Sequence, residues 1–502
     1  MTGLPPHARL RVSDGVRVED GGDGRSVIVG GSPLRLLRLD ARARAVYDAL
    51  AGETPIGDVR VKGASPRVIG ALARRLLDAG IADPIWATAS ALRAGDVTVV
   101  VPVRDRSGPL RRLLHSIAEH TPGIGGVVVV DDCSTDDTAD TARALGASVV
   151  ARMTSGGPAA ARNSGAATVT TPVIAFLDSD CTVLPGWLDP LLAHLDDANV
   201  AVVAPRIVAP RIVAAEGRDG RSGEARLIAR YESARSPLDL GPAPASVRPR
   251  TRVAYVPAAA LLVRREVFVE VGGFHEAMPV GEDVDFIWRV VAAGHTVRYE
   301  PAARVAHEHR DDVRAFLIRR ADYGSSAAAL TRRHPGLVPP LAVSGWSALA
   351  WSGAATQTIA GLAGGIAIAA ATTALLPRKL AMLADPWPEA IRLAGRGHWG
   401  AGRQLASAIM RTYLPLAIPL ALVSTRARRA LVAAAVLPAL QEWLERRPGI
   451  DPLRWTALRV ADDGAYCIGV WRGCVEHGTV APLLPDFSGW PGRRNTGKDV
   501  RS

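Results

Sequence analysis

Four short motifs in the middle of the chain carry side chains that could act on one ligand. Asp178 and Asp180 stand one residue apart after the apolar run 173–177. Carboxylates at the end of a buried parallel strand lie where open α/β sheets bind ligands. Acid pairs of this kind hold hard divalent cations on the phosphates of a nucleotide. Asp131 and Asp132 close another apolar run, where a carboxylate can accept from a uracil imide N–H or a ribose hydroxyl. Arg162 and Asn163, within Ala161-Arg162-Asn163-Ser164-Gly165, offer a cation and an amide to the nucleotide. Glu282 and Asp283 follow about a hundred residues after the first pair and would face the site from its acceptor side. Alone, Asp-x-Asp also describes a solvated acidic turn, so the elements around it must decide.

Those elements alternate from Asp96 onward. The runs 97–103, 127–130, 148–150, 173–177 and 200–203 are continuously apolar or nearly so, as strands buried on both faces require. Between them Leu110, Leu113, Leu114 and Ile117 step at helical spacing, and the stretches 138–145 and 158–167 read as helices. This βαβα alternation predicts a largely parallel, nucleotide-binding α/β sheet, with each motif at a strand end or in the loop after it. Residues 1–90 form a separate unit, with strands ahead of helices 41–50 and 65–79, which predicts a small winged-helix-like α+β module.

The last third differs in kind. From 337 to 377 no side chain is charged, which is enough for two helices of about twenty residues as an in-and-out membrane hairpin. Trp346 and Trp351 suit interfacial anchoring, and Arg378-Lys379 a cytoplasmic flank. The uncharged stretches 412–425 and 430–441 are too short to span and read as interfacial or re-entrant. We therefore expect a membrane-associated helical region over 331–480, at the cell membrane with the α/β domain (91–330) cytoplasmic, and a disordered tail over 481–502. The net charge of +11 is mostly scattered arginine without aromatic interleaving, which argues against nucleic acid and suits a membrane surface or an anionic small substrate. The four cysteines show no C-x-x-C or zinc spacing, as in reduced cytoplasmic proteins. No apolar h-region occupies the first 23 residues, so no secretory signal is expected.

Taken in order, Val101-Pro102-Val103, Val130-Asp131-Asp132-Cys133-Ser134-Thr135-Asp136, Ala161-Arg162-Asn163-Ser164-Gly165, Phe176-Leu177-Asp178-Ser179-Asp180, Val271-Gly272-Gly273-Phe274 and Gly281-Glu282-Asp283-Val284-Asp285-Phe286-Ile287-Trp288-Arg289 resemble the motif set of family 2 inverting glycosyltransferases of the GT-A fold. The resemblance implies a nucleotide-sugar donor, with Pro102, Asp131, Asp132, Arg162, Asn163 and Asp178 on the donor side. Asp180, with Asp178, would bind Mg2+ or Mn2+, and His307 or His309 would complete the metal shell. Asp283 would be the general base, with Glu282 and Arg289 orienting it or the acceptor. His275 stands where many relatives carry Asp.

Read with Gly30-Gly31-Ser32-Pro33-Leu34-Arg35-Leu36-Leu37-Arg38-Leu39, Ala229-Arg230-Tyr231-Glu232-Ser233, Tyr323-Gly324-Ser325-Ser326 and the apolar tail, the whole chain is similar to the mycofactocin-system glycosyltransferases of actinobacteria. That likeness implies glucose transfer from UDP-glucose to a peptide-derived redox cofactor or its precursor, building a β-1,4-glucan. It also implies that the N-terminal module resembles small peptide-binding domains. A polysaccharide or lipid-linked acceptor is the alternative within the class. A nucleotidyltransferase would need a Gly-rich basic loop after the first strand, which residues 102–108 supply poorly. A non-catalytic peptide carrier is disfavoured because every acid of the motif set is present.

Overall fold

The computed structural model describes residues 4–86, 90–210, 223–308 and 312–488. Its central feature is a nine-stranded mixed sheet. Along the main path the order is Cys181–Val183, Thr296–His307, Val200–Val208, Ala260–Arg264, Val173–Leu177, Val97–Val103, Gly126–Asp131, Ser148–Ala151. Val97–Val103 is apolar but for Thr98 and has parallel neighbours on both sides. Strand order reverses at that strand, and a crevice opens beyond the carboxyl ends at such a reversal. Pairing with Val173–Leu177 stops at Val100, so Pro102 lies where the sheet has parted on that side and its missing N–H leaves no gap in the ladder. Ala260–Arg264 runs antiparallel between Val200–Val208 and Val173–Leu177, which makes the sheet mixed rather than purely parallel. The apolar strand residues, Leu110, Leu113 and Ile117 of the first helix, and Trp187 and Leu191 form one buried core.

Helix Gly157–Ala166 packs directly on this sheet. A Cβ on Gly165 would come within 2.5 Å of a Val100 methyl and 2.7 Å of a Val130 methyl, so only glycine allows the helix so close. That approach carries Arg162 and Asn163 over the strand ends.

The N-terminal module has its own core, including Leu10, Ile28, Val46, Leu50, Leu76 and Ile81. Strands Arg17–Asp20, Ser26–Gly30 and Arg35–Leu39 form one sheet, helices Ala41–Ala51 and Pro66–Asp78 follow, and Arg9–Val12 pairs with Ala82–Ile85. It matches the α+β module expected from the sequence, and it is docked on the transferase sheet. Arg74 forks onto Asp197 with two bonds of 2.8 Å, and Arg298 reaches Asp83 at 3.1 Å. Arg298 and Asp197 are both buried, and burying a charge is tolerable only when it is paired in this way.

The second compact unit comprises residues 20–24, 221–234 and 310–502. The domain boundary expected at 330 therefore falls earlier, because helix Val313–Arg333 packs along Pro452–Glu476 within this unit. Helix Gly223–Arg235 belongs to it too, its buried Tyr231 donating to Asp462 at 3.0 Å. Asp462 also accepts from Arg320 at 2.9 Å, and Asp463 from Arg459 at 2.9 Å and Arg411 at 3.1 Å.

The uncharged stretch 337–377 does form a hairpin, with unequal arms. Gly345–Ala355 has 11 residues, too few to cross a bilayer, because Gln357 turns the chain with a left-handed φ of 53°. The second arm, Ile359–Arg378, is the one helix among the described residues long and apolar enough to cross a membrane. Helices Trp387–Arg411 and Leu414–Val423 meet at 91°, so the uncharged stretch 412–425 does not continue the preceding helix as one straight rod. The tail expected to be disordered from 481 is ordered at its start. Residues Ala481–Leu483 form a helical turn, and Asp486–Ser488 pairs with Ala342–Ser344; positions 489–502 lie outside the described residues.

Candidate active site

The acidic motifs converge at the carboxyl ends of the central strands. Val173–Leu177 delivers Asp178, and the next turn leads into Cys181–Val183. That short strand pairs antiparallel with the end of Thr296–His307, setting Cys181 opposite His307. Register alone thus brings a histidine from far along the chain to the aspartates. Asp178, Asp180 and His307 each offer a ligand atom, all within 4.8 Å of one another. Two carboxylates and an imidazole suit Mg2+ or Mn2+, so the residues fit the implied cation. His309 lies outside the described residues.

Both oxygens of Asp180 are engaged. Oδ1 lies 3.3 Å from His307 Nε2, and Oδ2 accepts from Arg106 Nη1. Burial alone would raise the Asp180 carboxyl, but His307 and Arg106 outweigh it and hold the group well below the usual carboxylate range. Arg106 was not foreseen. The only signal for it in the sequence is its place in the loop after the first strand.

Arg162 joins the two halves of the site. Its buried guanidinium donates to Asp178 Oδ1 at 2.6 Å and to Glu282 Oε1 at 2.9 Å, and it lies 5.4 Å from the Phe274 ring centroid. The cation expected to reach out to the nucleotide is thus committed to carboxylates inside the protein. Asn163 is likewise occupied: its amide donates to Phe274 O at 2.9 Å and to Glu276 at 2.9 Å, and accepts from Phe274 N at 2.9 Å. This clamp needs Gly273, at φ 63°, because a Cβ there would lie 2.7 Å from Asn163 Oδ1.

On the nucleotide side the two aspartates differ. Asp132 accepts from Arg152 at 2.8 Å, Ser155 at 2.8 Å, and the N–H groups of Gly156 and Gly157 at 3.0 and 2.9 Å. Burial would raise its carboxyl, and these donors overcome that and lower it. Asp132 is therefore spent on holding the loop before helix Gly157–Ala166. Asp131 takes one such bond, from Ser134 N at 3.0 Å. Asp105 and Cys133, in the loops after the first and second strands of the transferase sheet, have φ of 50° and 66°. Non-glycine residues hold this left-handed region at a cost of about 1–3 kcal/mol, and such residues cluster at functional sites. Asp105 is fixed by Thr135, whose N–H and hydroxyl donate to it at 2.6 and 3.0 Å.

Glu282 and Asp283 open helix Glu282–Ala292, after Gly281 in a left-handed conformation. Asp283 is half-buried, and desolvation together with the adjacent Glu282 charge pushes its carboxyl up to about 7. A carboxylate poised there can take a proton at neutral pH. Arg289 does not join it. Six residues on, about 240° round the helix, its guanidinium donates to Asp285 at 2.8 Å, Gly273 O at 2.6 Å and Val271 O. It braces the Gly272-Gly273 turn and does not orient Asp283.

The crevice at the strand reversal thus holds the carboxylate–imidazole cluster, with Arg162 linking Asp178 to Glu282 beside Asp283. The sequence profile described as "Glycosyl transferase family 2" matches residues 98–249. A "Pre-mycofactocin glycosyltransferase" of Mycobacterium tuberculosis is 41% identical over 496 residues, 97% of this chain and 99% of its own length. The succinoglycan biosynthesis protein ExoO of Rhizobium meliloti is 28% identical over 229 residues, 45% of this chain and 64% of that protein. Among solved structures, mannosyltransferase PcManGT from Pyrobaculum calidifontis in complex with GDP-Man and Mn2+ is 20% identical, covers 70% of this chain and 89% of its own, and gives a TM-score of 0.37. The chain belongs to the family of the pre-mycofactocin glycosyltransferase and carries a glycosyl transferase family 2 domain over residues 98–249.

Proposed function

We propose that the chain moves glucose from UDP-glucose to the peptide-derived redox cofactor mycofactocin or its precursor, inverting the anomeric centre and extending a β-1,4-glucan. Its kinship with a pre-mycofactocin glycosyltransferase along nearly the whole chain carries the choice of acceptor. Asp283 is the general base: it removes the acceptor hydroxyl proton as that oxygen attacks the anomeric carbon from the face opposite the leaving nucleotide. One displacement of this kind needs no enzyme nucleophile. Glu282, fixed by Arg162, keeps the Asp283 carboxyl raised. Asp131 holds the nucleoside, while Asp132 and Asn163 keep the loops around it in place. Asp178, Asp180 and His307 would hold the divalent cation, which when bound neutralises charge on the departing diphosphate.

The groove between helices Ala41–Ala51 and Pro66–Asp78, about 310 Å3 and lined by Val46, Val68 and Leu72 between Asp40 and Arg75, is where we place the peptide part of an acceptor. The exposed Ile359, Leu362 and Ile366 support association of the second unit with a membrane, which we take to be the cell membrane with the transferase domain on its cytoplasmic side. That same apolar helix favours the second reading, a lipid-linked acceptor. The purified protein, UDP-glucose and Mn2+ are incubated with pre-mycofactocin or with polyprenyl phosphate, and products are read by mass spectrometry. Hexose added to pre-mycofactocin alone supports the proposal, and hexose added to the lipid alone overturns it.

A further inference from the structure

Asp180 is the one cluster residue whose two oxygens are shared between a prospective ligand, His307, and a competing cation, Arg106. The loop bearing Arg106 is held firmly at its backbone: Arg106 N donates to Thr138 Oγ1 at 3.1 Å and Asp105 N to Ser134 Oγ at 3.0 Å. Its side chain, by contrast, is 41% exposed and long enough to turn on that fixed base. A divalent cation taking Asp180 Oδ2 must displace the guanidinium that already occupies that oxygen, the two being like charges. The loop also stands between Asp180 and the 131–138 loop that carries Asp131, which is the gap a diphosphate joining nucleoside to metal has to cross.

We propose that Arg106 is an exchangeable counter-ion that makes metal and donor bind together: it holds Asp180 in the free protein, yields that oxygen to the metal, and moves onto the diphosphate. Resting on the donor and metal reading above, this assigns Arg106 as a positioning residue for the nucleotide sugar. Guanidinium is suited to the exchange, since it pairs bidentately with carboxylate and phosphate oxygens alike. The consequence is linkage: metal alone meets a competitor, and the nucleotide removes it. By reciprocity, metal strengthens nucleotide binding by the same factor.

The test measures Mn2+ binding by titration calorimetry and by electron paramagnetic resonance, with and without UDP, in the wild-type protein, Arg106→Gln and Arg106→Lys. In Arg106→Gln, Mn2+ alone should bind more tightly than in wild type while UDP in the presence of Mn2+ binds more weakly. The factor by which UDP tightens Mn2+ should therefore shrink about five- to a hundredfold, the usual span of coupling between sites. Arg106→Lys should keep part of the coupling. Mn2+ binding that is unchanged or weakened without UDP in Arg106→Gln overturns the exchange and leaves the donor reading standing. No binding of UDP and Mn2+ by the wild-type protein overturns both.

Discussion

Asp283 and Arg162 carry the sharpest expectations at the scale of single residues. Asp283→Asn should lower transfer by about 10²–10⁴-fold, the share usually supplied by a positioned base, while UDP affinity measured by calorimetry stays near that of the parent. Because the carboxyl is pushed up to about 7 by burial and by Glu282, kcat/KM should fall roughly tenfold per pH unit below that value and flatten above it. A pH–rate profile flat from 5 to 8 would remove Asp283 from the role. The native chain holds this proton more tightly than the unfolded chain, whose aspartates titrate near about 4. Stability therefore drops as pH climbs from about 4 to about 7. Asp283→Asn should accordingly raise the melting temperature more at pH 8 than at pH 4. Replacing Arg162 by Met leaves Asp178 and Glu282 facing each other without their shared cation. Breaking a buried pair in this way costs about 3–5 kcal/mol, read as a lower denaturant midpoint.

The elements matter through how closely they approach. Gly165→Ala sets a methyl against Val100 and Val130, so helix Gly157–Ala166 must lift off the sheet. Overpacking of this sort costs about 1–3 kcal/mol, and activity should drop further than stability because Arg162 travels with the helix. The strands, the order of the motifs and the carboxylates were legible in the sequence because parallel strands buried on both faces leave uninterrupted apolar runs. What stayed hidden was side-chain direction. Arg162, Asn163 and Asp132 have the residue types of nucleotide ligands, yet each is turned inward by a partner distant in sequence: Glu282, Phe274 and the 155–157 loop. Arg289 is turned to Asp285 and the 271–273 turn rather than to Asp283, since neighbourhood along a helix is not neighbourhood around it. Arg106 left nothing beyond its place in that loop, because a contact between a loop and a residue 74 positions on has no local signature.

For the whole molecule, the apolar second arm of the hairpin gives a direct test. Leu362→Lys with Ile366→Lys should move the protein from the vesicle fraction to the soluble fraction in a flotation assay, with glucose transfer to a soluble acceptor unchanged. Vesicle binding that survives both lysines would place the membrane contact elsewhere. The pairing of Cys181 with His307 also has a consequence in time. A ribosome adds about 5–20 residues per second, so Asp178 and Asp180 wait several seconds for the strand that carries their histidine. Until then the edge of Cys181–Val183 has no partner from Thr296–His307 and the aspartates form no cluster. The apolar helix Ile359–Arg378 emerges only after that strand is complete. The site can therefore assemble before the apolar helix emerges. Synthesis order thus completes the carboxylate–imidazole cluster before the apolar arm has left the ribosome.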